Sequence, residues 1–414
     1  MRALRGLAPA LLVLLVLACG GEYPQSSIDP KTDFAESIHS LYQLIFWITL
    51  VILVVVWGVM AYILVRFRAK PGTPTPRQTH GHLGMEVLWT VIPTVIVMFI
   101  AIPTIQTVFA TQRELSEDAL VVDVIGHQFW WEFRYPNGIV TANELHLPVG
   151  RAITLRLTSA DVIHSFWVPM LGGKRDVNPR VAVPPPEEPA PGAEGVAPEG
   201  EAPTPGADPF NYLYFTINEP GVYRGQCAEF CGDSHSLMGV RVVAESDAEF
   251  DTWMADWRGP AAVAAAPADS GAAADEERAE QAQADSIAAA LPLFDSTQVA
   301  TAGAPGGGGA ARIELGRQTF HSSTCIACHA IQGTTATGQL GPNLTLLGRR
   351  TTLVGWLENN PESLARWITS PNSVKPGAMM PGVAEMGGNF PATNLSAEQV
   401  TAVAEYLYSL GRTP

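Results

Sequence analysis

The sequence predicts a multidomain membrane protein: a two-helix transmembrane hairpin, then an all-β Greek-key domain, then an all-α domain. Three observations carry this. Two long apolar runs fall in the first quarter of the 414 residues. Short β-rich runs separated by turn residues follow from Leu120. The last hundred residues turn helical around a C-I-A-C-H motif. The length suits two or three domains of about 100–200 residues each.

Residues 1–19 begin with Arg2 and Arg5, continue through an apolar core and reach Ala18-Cys19-Gly20. A charged start, a short apolar core and a small residue before the break read as a signal peptide. The run V-L-A-C resembles a bacterial lipobox, which would make Cys19 a lipidation site; ordinary cleavage nearby is the alternative.

Residues 41–65 carry no charge. At about 1.5 Å per residue they span a hydrocarbon core of about 30 Å with room for tilt. Residues 87–110 are similar, and Pro93 and Pro103 are tolerated there because neighbouring helices can satisfy the freed backbone groups. Arg66, Arg68, Lys70 and Arg77 lie between the runs with no acid. The positive-inside rule places that loop in the cytoplasm and both ends of the chain on the outer, periplasmic side. Glu86 opens the second run, either as a solvated end cap or as a functional group buried in a bundle.

Residues 111–259 form the predicted β domain. V-V-D-V-I-G-H-Q-F-W-W-E-F-R-Y, A-I-T-L-R-L-T-S, N-Y-L-Y-F-T-I-N and G-V-R-V-V-A read as strands of a Greek-key sandwich or barrel. A Pro/Ala/Glu-rich stretch, residues 181–209, interrupts it and is too poor in apolar residues to add a core, so it reads as a disordered surface loop. Residues 260–310, rich in Ala, Pro, Gly and acids, read as a flexible linker before a domain at 311–414. The net charge of −15 argues against a nucleic-acid partner. The charge is uneven: residues 111–259 carry 22 acids against 10 bases, a net of −12, whereas residues 311–414 stand at +1.

The chemistry concentrates in C-A-E-F-C-G-D-S-H-S-L-M, residues 227–238. Thiolate, imidazole and thioether form a soft donor set, and soft donors select copper. One blue-copper ion would use a single cysteine; Cys227 and Cys231 can instead bridge a pair of ions. His235 and Met238 follow in the motif, and His164, in D-V-I-H-S-F-W-V-P, is the candidate second histidine. A strained disulfide or a zinc site is the rival reading, and methionine is a poor zinc ligand.

The C-I-A-C-H motif, residues 325–329, reads as covalent attachment of a c-type haem. Cys325 and Cys328 would form the thioethers and His329 would be the proximal iron ligand. On the distal side K-P-G-A-M-M-P offers two methionines, Met380 directly before Pro381 and Met379 as its rival. Methionine–histidine ligation raises the iron potential. Ser396 with Gln399 three residues later forms a capping box for a final helix. Copper and haem together absorb four of the five cysteines, so no structural disulfide is predicted.

These residues resemble cytochrome c oxidase subunit II of the caa3 type, in which a cupredoxin-like CuA domain is fused to a class I cytochrome c domain. The resemblance covers the whole chain except the insertion at 181–209. It implies that Cys227 and Cys231 bridge both coppers, that His164 and Met238 complete one, and that His235 and the backbone carbonyl of Glu229 complete the other. It further implies a magnesium at the subunit I interface, with Glu229 contributing its carboxylate, and a subunit I-facing segment at Lys174, Arg175, Asp176 and Arg180. The proline of G-P-N-L would orient His329. Glu86 would stand at a proton-path entrance.

The segment Phe129, Trp130, Trp131, Phe133 and Tyr135 resembles the family's aromatic segment before the copper site, where electrons come in. Here the position of the usual tryptophan is Phe129, and Trp130 would sit on the opposite face of an ideal strand. The implied role is electron input to an oxidase. The implied partners are subunits I and III, membrane lipid and a soluble or membrane-bound cytochrome c or equivalent donor. Other classes remain: a CuA protein of a nitrous-oxide-reductase-like system, which would need more histidines than nine, or a metal-free structural subunit of a quinol oxidase.

Overall fold

A computed structural model describes residues 23–68, 72, 81–112, 116–136, 138–179, 210–257 and 309–412. The signal segment with Cys19, Lys70, Arg77, Arg180, the 181–209 insertion and all but the end of the 260–310 linker lie outside the described residues.

Two helices, α1 (Asp33–Arg66) and α2 (Leu83–Ala110), are long and apolar enough to cross a membrane. Both enclose the expected spans, and their large apolar side chains are exposed, Val65 at 80% and Phe109 at 73%. That exposure suits lipid rather than water as the solvent. Glu86 lies in the first turn of α2, where its Oε1 accepts from the His82 N–H at 3.2 Å. The first turn of α1 belongs to the β domain. Thr32 caps the helix by accepting from Ala35 N–H at 2.9 Å and donates to the Leu171 carbonyl at 2.7 Å. The Asp33 carboxylate accepts from Thr216 N–H at 2.8 Å. Gly172, at φ 149°, makes room for the Phe34 ring, since a Cβ there would lie 2.0 Å from Phe34 Cδ1.

The β domain is a sandwich of two five-stranded sheets. The first runs β3 (Val140–Ala142), β2 (Trp130–Arg134), β1 (Leu120–His127), β5 (Ala152–Ser159), β8 (Asn211–Thr216). The second runs β4 (Glu144–Pro148), β10 (Gly239–Glu245), β9 (Gly221–Cys227), β6 (His164–Trp167), β7 (Arg175–Val177). The pairs β1/β5 and β4/β10 are parallel and the rest antiparallel, the crossed connectivity of a Greek key. Val122, Val124, Leu145, Leu147 and Leu155 point inward and are wholly buried. Each such side chain contributes about 1.5–3 kcal/mol of transfer free energy. A capped helix, α3 (Asp247–Asp256), closes one end, with Phe250 buried against the core.

The last domain is helical. α4 (Gly309–Ser322) crosses α8 (Ala397–Ser409), with α5 (Cys325–Cys328), a short β11–β12 hairpin (Thr352–Leu353, Leu357–Glu358), α6 (Pro361–Thr369) and α7 (Pro371–Val374) between them. The capping box of α8 is present: Ser396 Oγ accepts from Gln399 N–H and Gln399 Oε1 accepts from Ser396 N–H. α4 begins at Gly309, two residues before the expected domain start.

Candidate functional site

The 227–238 motif is the connection between β9 and β10. Antiparallel pairing of Gly239 with Gln226 brings the two ends of the loop together, and Cys227 N–H donates to the Met238 carbonyl at 2.9 Å. On the other side β6 pairs Phe166 with Cys227, which carries His164 to the same end of the sheet. Strand register therefore delivers donors far apart in sequence to one spot. The Cys227 and Cys231 sulphurs are 3.9 Å apart, well beyond a disulfide bond of about 2.05 Å. Cys227 Sγ lies 3.8 Å from His164 Nδ1 and 3.2 Å from the Glu229 carbonyl oxygen. Cys231 Sγ lies 3.7 Å from His235 Nδ1 and 3.8 Å from Met238 Sδ. All six donors expected from the sequence converge. His164 and Met238 are fully buried and the two cysteines nearly so.

The site's charges are strongly coupled. The two thiols share a proton, which pushes Cys227 well below the ordinary thiol range and Cys231 above it. Burial by itself would lower the His164 pKa, yet the Asp161 carboxylate and Cys227 outweigh it and raise it. Asp161 was not singled out from the sequence. Its Oδ1 accepts from His164 Nε2 at 2.8 Å, which leaves the Nδ1 lone pair facing the sulphurs. Its Oδ2 accepts from Gln128 N–H at 2.6 Å, and Gln128 Nε2 donates to the Cys231 carbonyl at 2.6 Å. The signal was a carboxylate three residues before the histidine, too common a spacing to stand out. This soft, buried, preorganised set fits copper.

The aromatic segment corrects one expectation. Phe129 and Trp130 do not alternate along one strand. Phe129 lies in the turn between β1 and β2, the strand starting only at Trp130, so strand alternation does not apply to the pair. Both line one cavity. Trp130 stacks on His127 with centroids 4.2 Å apart. Trp131 is fully buried, edge-on to the His164 ring at 5.9 Å. Phe133 and Tyr135 are core residues.

That cavity, about 300 Å³, is the pocket of the helical domain. Cys325, Cys328, His329, Met379 and Met380 line it. His329 Nδ1 donates to the Pro342 carbonyl at 2.8 Å, which frees Nε2 for a ligand. Burial pushes the His329 pKa down, so the ring is neutral, as an iron ligand must be. Burial also pushes the Cys325 and Cys328 thiols up. Met379 is 55% exposed, whereas Met380 packs against the core. The residues fit a covalently held haem. His127, Gln128, Phe129 and Trp130 of the β domain complete the wall of the same cavity.

Glu229 and Phe230, the latter 77% exposed, form the loop tip. Lys174 and Asp176 are exposed beside and on the edge strand β7.

Three family models match. "Cytochrome C oxidase subunit II, transmembrane domain" covers residues 25–107, its "periplasmic domain" covers residues 202–246, and "Cytochrome c" covers residues 313–411. Over its whole length the chain is similar to cytochrome c oxidase subunit 2 of Alkalihalophilus pseudofirmus, at 31% identity across 99% of this chain and 97% of that one. The protein of the same name from Bacillus subtilis is 28% identical across 97% and 96%. Quinol oxidase subunit 2 of Bacillus spizizenii is 30% identical, but across only 61% of this chain and 73% of its own.

Proposed function

The chain belongs to the cytochrome c oxidase subunit II family, and from that premise we propose that it is the electron-input arm of a caa3-type haem-copper oxidase. The observation that carries this reading is the convergence of His164, Cys227, the Glu229 carbonyl, Cys231, His235 and Met238 beside a pocket lined by C-I-A-C-H. Bound there, a copper pair and a haem supply reversible one-electron storage. Cys227, Cys231, His164, Met238, His235 and the Glu229 carbonyl would hold the coppers. Cys325, Cys328, His329 and Met380 would hold the haem.

The residues do the rest. The β-sandwich fixes the donors on two strands and one loop, so the geometry changes little between redox states. Asp161 holds the His164 tautomer, and Pro342 holds that of His329. Phe129, which lies against Gly232 of the copper loop, and Trp130, which lines the same cavity, would be the electron-input side chains. Trp131 lies deeper, against His164. The chain accepts electrons from a cytochrome c or equivalent donor and delivers them to subunit I, where dioxygen is reduced and protons are pumped.

The exposed Glu229 and Phe230 tip and the Lys174–Asp176 edge are the surfaces for subunit I. Glu229 would share a magnesium there. Subunit III completes the complex. Both helices sit in lipid of the bacterial cytoplasmic membrane, with the two soluble domains on the periplasmic side. Glu86, at the opposite membrane face, is the proton-path entrance.

The test is to produce the full chain with copper and haem maturation, count metals and record electron paramagnetic resonance. Two coppers and one haem per chain are expected. Cys227→Ser should abolish the mixed-valence signal, because one thiolate cannot hold a symmetric bridged pair. A single zinc, or one ordinary blue copper, overturns the assignment. A chain without metal would instead be a structural subunit of quinol-oxidase type.

A further inference from the structure

The two soluble domains are joined through more than their covalent connection. Glu144, on β4 of the sandwich, is 4% exposed, and its carboxylate meets the haem domain. Its Oε1 accepts from Thr351 N–H at 2.9 Å, Thr351 Oγ1 at 2.6 Å, Thr352 N–H at 3.0 Å and Thr352 Oγ1 at 3.2 Å. One carboxylate oxygen thus sits where two successive amides and two hydroxyls converge. Charge-assisted bonds of this kind are about twice as strong as neutral ones, and four at one atom define an orientation as well as an attachment.

Further contacts lie elsewhere on the interface. Ser234 Oγ, in the copper loop, donates to the Pro376 carbonyl at 2.6 Å. Gly377 lies against Phe129 and Asp233, a Cβ there falling 3.2 Å from Phe129 Cε2 and 3.3 Å from Asp233 Oδ2. The backbones of Gly239 and Gly355 also meet, a Cβ on Gly239 lying 2.8 Å from the Gly355 oxygen. Leu346 of the haem domain belongs to the core of the sandwich. Separate contacts fix a rigid body, and these hold the haem cavity closed by Phe129 and Trp130. Arg349 and Asp256, 2.6 Å apart, are partly exposed and add little.

We propose that Glu144 is a positioning residue for electron transfer within the chain: its carboxylate latches the haem domain onto the sandwich in the one orientation that places the haem cavity against Phe129 and Trp130. The proposal rests on the electron-input reading above, but its first readout does not depend on that reading. Glu144 touches neither metal site's donors. It acts through Thr351 and Thr352, which lead into the hairpin of Thr352–Leu353 and so to Val354, a residue of the cavity wall.

The test uses the full chain in its assembled complex. Hydrogen exchange reports the Thr351 and Thr352 amides, and flash-induced transfer reports the haem-to-copper rate. Glu144→Ala should speed exchange of both amides about tenfold or more, the effect of leaving buried donors without their acceptor. The transfer rate should fall by a similar factor, with copper and haem content and spectra unchanged. Glu144→Gln keeps an acceptor oxygen and should fall between. Thr351→Val with Thr352→Val, on the other domain, removes two donors without disturbing the sandwich; adding Glu144→Ala to it should produce less than the sum of the separate effects. Amide exchange and transfer within about twofold of wild type in Glu144→Ala would overturn the latch. If the wild type lacks copper or haem, the electron-input reading falls, and the exchange readout still decides the latch.

Discussion

At the scale of single residues, the copper site is held by groups that are not themselves donors. Asp161 bonds His164 with one oxygen and the Gln128 backbone with the other, so it couples the metal-binding histidine to the aromatic turn. Asp161→Asn should weaken copper binding about 10–100-fold, the usual loss for an outer partner of a histidine ligand, while leaving the fold intact. Competition titration against a copper chelator measures this; unchanged affinity would show that packing alone orients the ring. On the haem side, Met380 is packed and Met379 is 55% exposed, which favours Met380 as the distal ligand. Met380→Ala should make the ferric haem high-spin or open to an added ligand, and Met379→Ala should leave its spectrum unchanged. The reverse pattern in the optical spectra would exchange the two roles. The M-P dipeptide already favoured Met380 over Met379 in the sequence, and burial points the same way.

At the scale of elements, the β1–β2 hairpin carries the aromatic turn and is pinned by a buried carboxylate. Glu132 Oε2 pairs with His127 Nε2 at 3.0 Å, and its other oxygen pairs with Arg134. Burial alone would raise the Glu132 pKa, but His127 and Arg134 outweigh it and hold it below the ordinary 4.5. The sign follows. A depressed folded-state pKa means the carboxylate stabilises the fold fully above pH 4.5, and that stabilisation disappears as pH falls through the folded value. Glu132→Gln should therefore destabilise by about 1–3 kcal/mol at pH 7, with the gap from wild type closing in more acidic buffer. Thermal melts of both proteins across a pH series check it, and a constant gap would remove the carboxylate from the account. The strands themselves were legible, because β-branched and aromatic runs with turn residues between them admit little else. The failure of alternation at Phe129 was not, since it depends on where the turn ends.

At the scale of the whole molecule, composition and structure describe different parts of one tether. The composition of residues 260–310 leads one to expect a flexible connection, and one of about 50 residues would have a root-mean-square span of about 35–42 Å and a near-millimolar effective concentration. The structure adds a docked state held by the buried Glu144 and by contacts at Ser234 and Gly377. The haem domain covers the face at Phe129. Buried hydrogen bonds are screened little by salt, and the haem domain is near neutral at +1. Haem-to-copper transfer in the intact chain should stay flat across a salt series. In a chain cut within residues 260–308 it should become slower and concentration-dependent. Stopped-flow measurements on both decide this, and an equally steep fall with salt in both would show that long-range charge, not tether and docking, brings the domains together.

The sequence by itself showed the two membrane-length runs, and it singled out six candidate copper donors and the C-I-A-C-H residues as candidate haem attachment. It could do so because most of this is local: five of the six donors on one loop, a motif of five residues, an apolar run of membrane length. Only the tertiary structure decided that Asp161 orients His164, that Phe129 and Trp130 share one cavity, and that Glu144 meets Thr351 and Thr352. The Asp161–His164 spacing is too common to stand out, and Glu144 lies 207 and 208 positions from its partners. These contacts arise from strand register and domain docking, which are set by the summed packing of the chain rather than by any stretch of it.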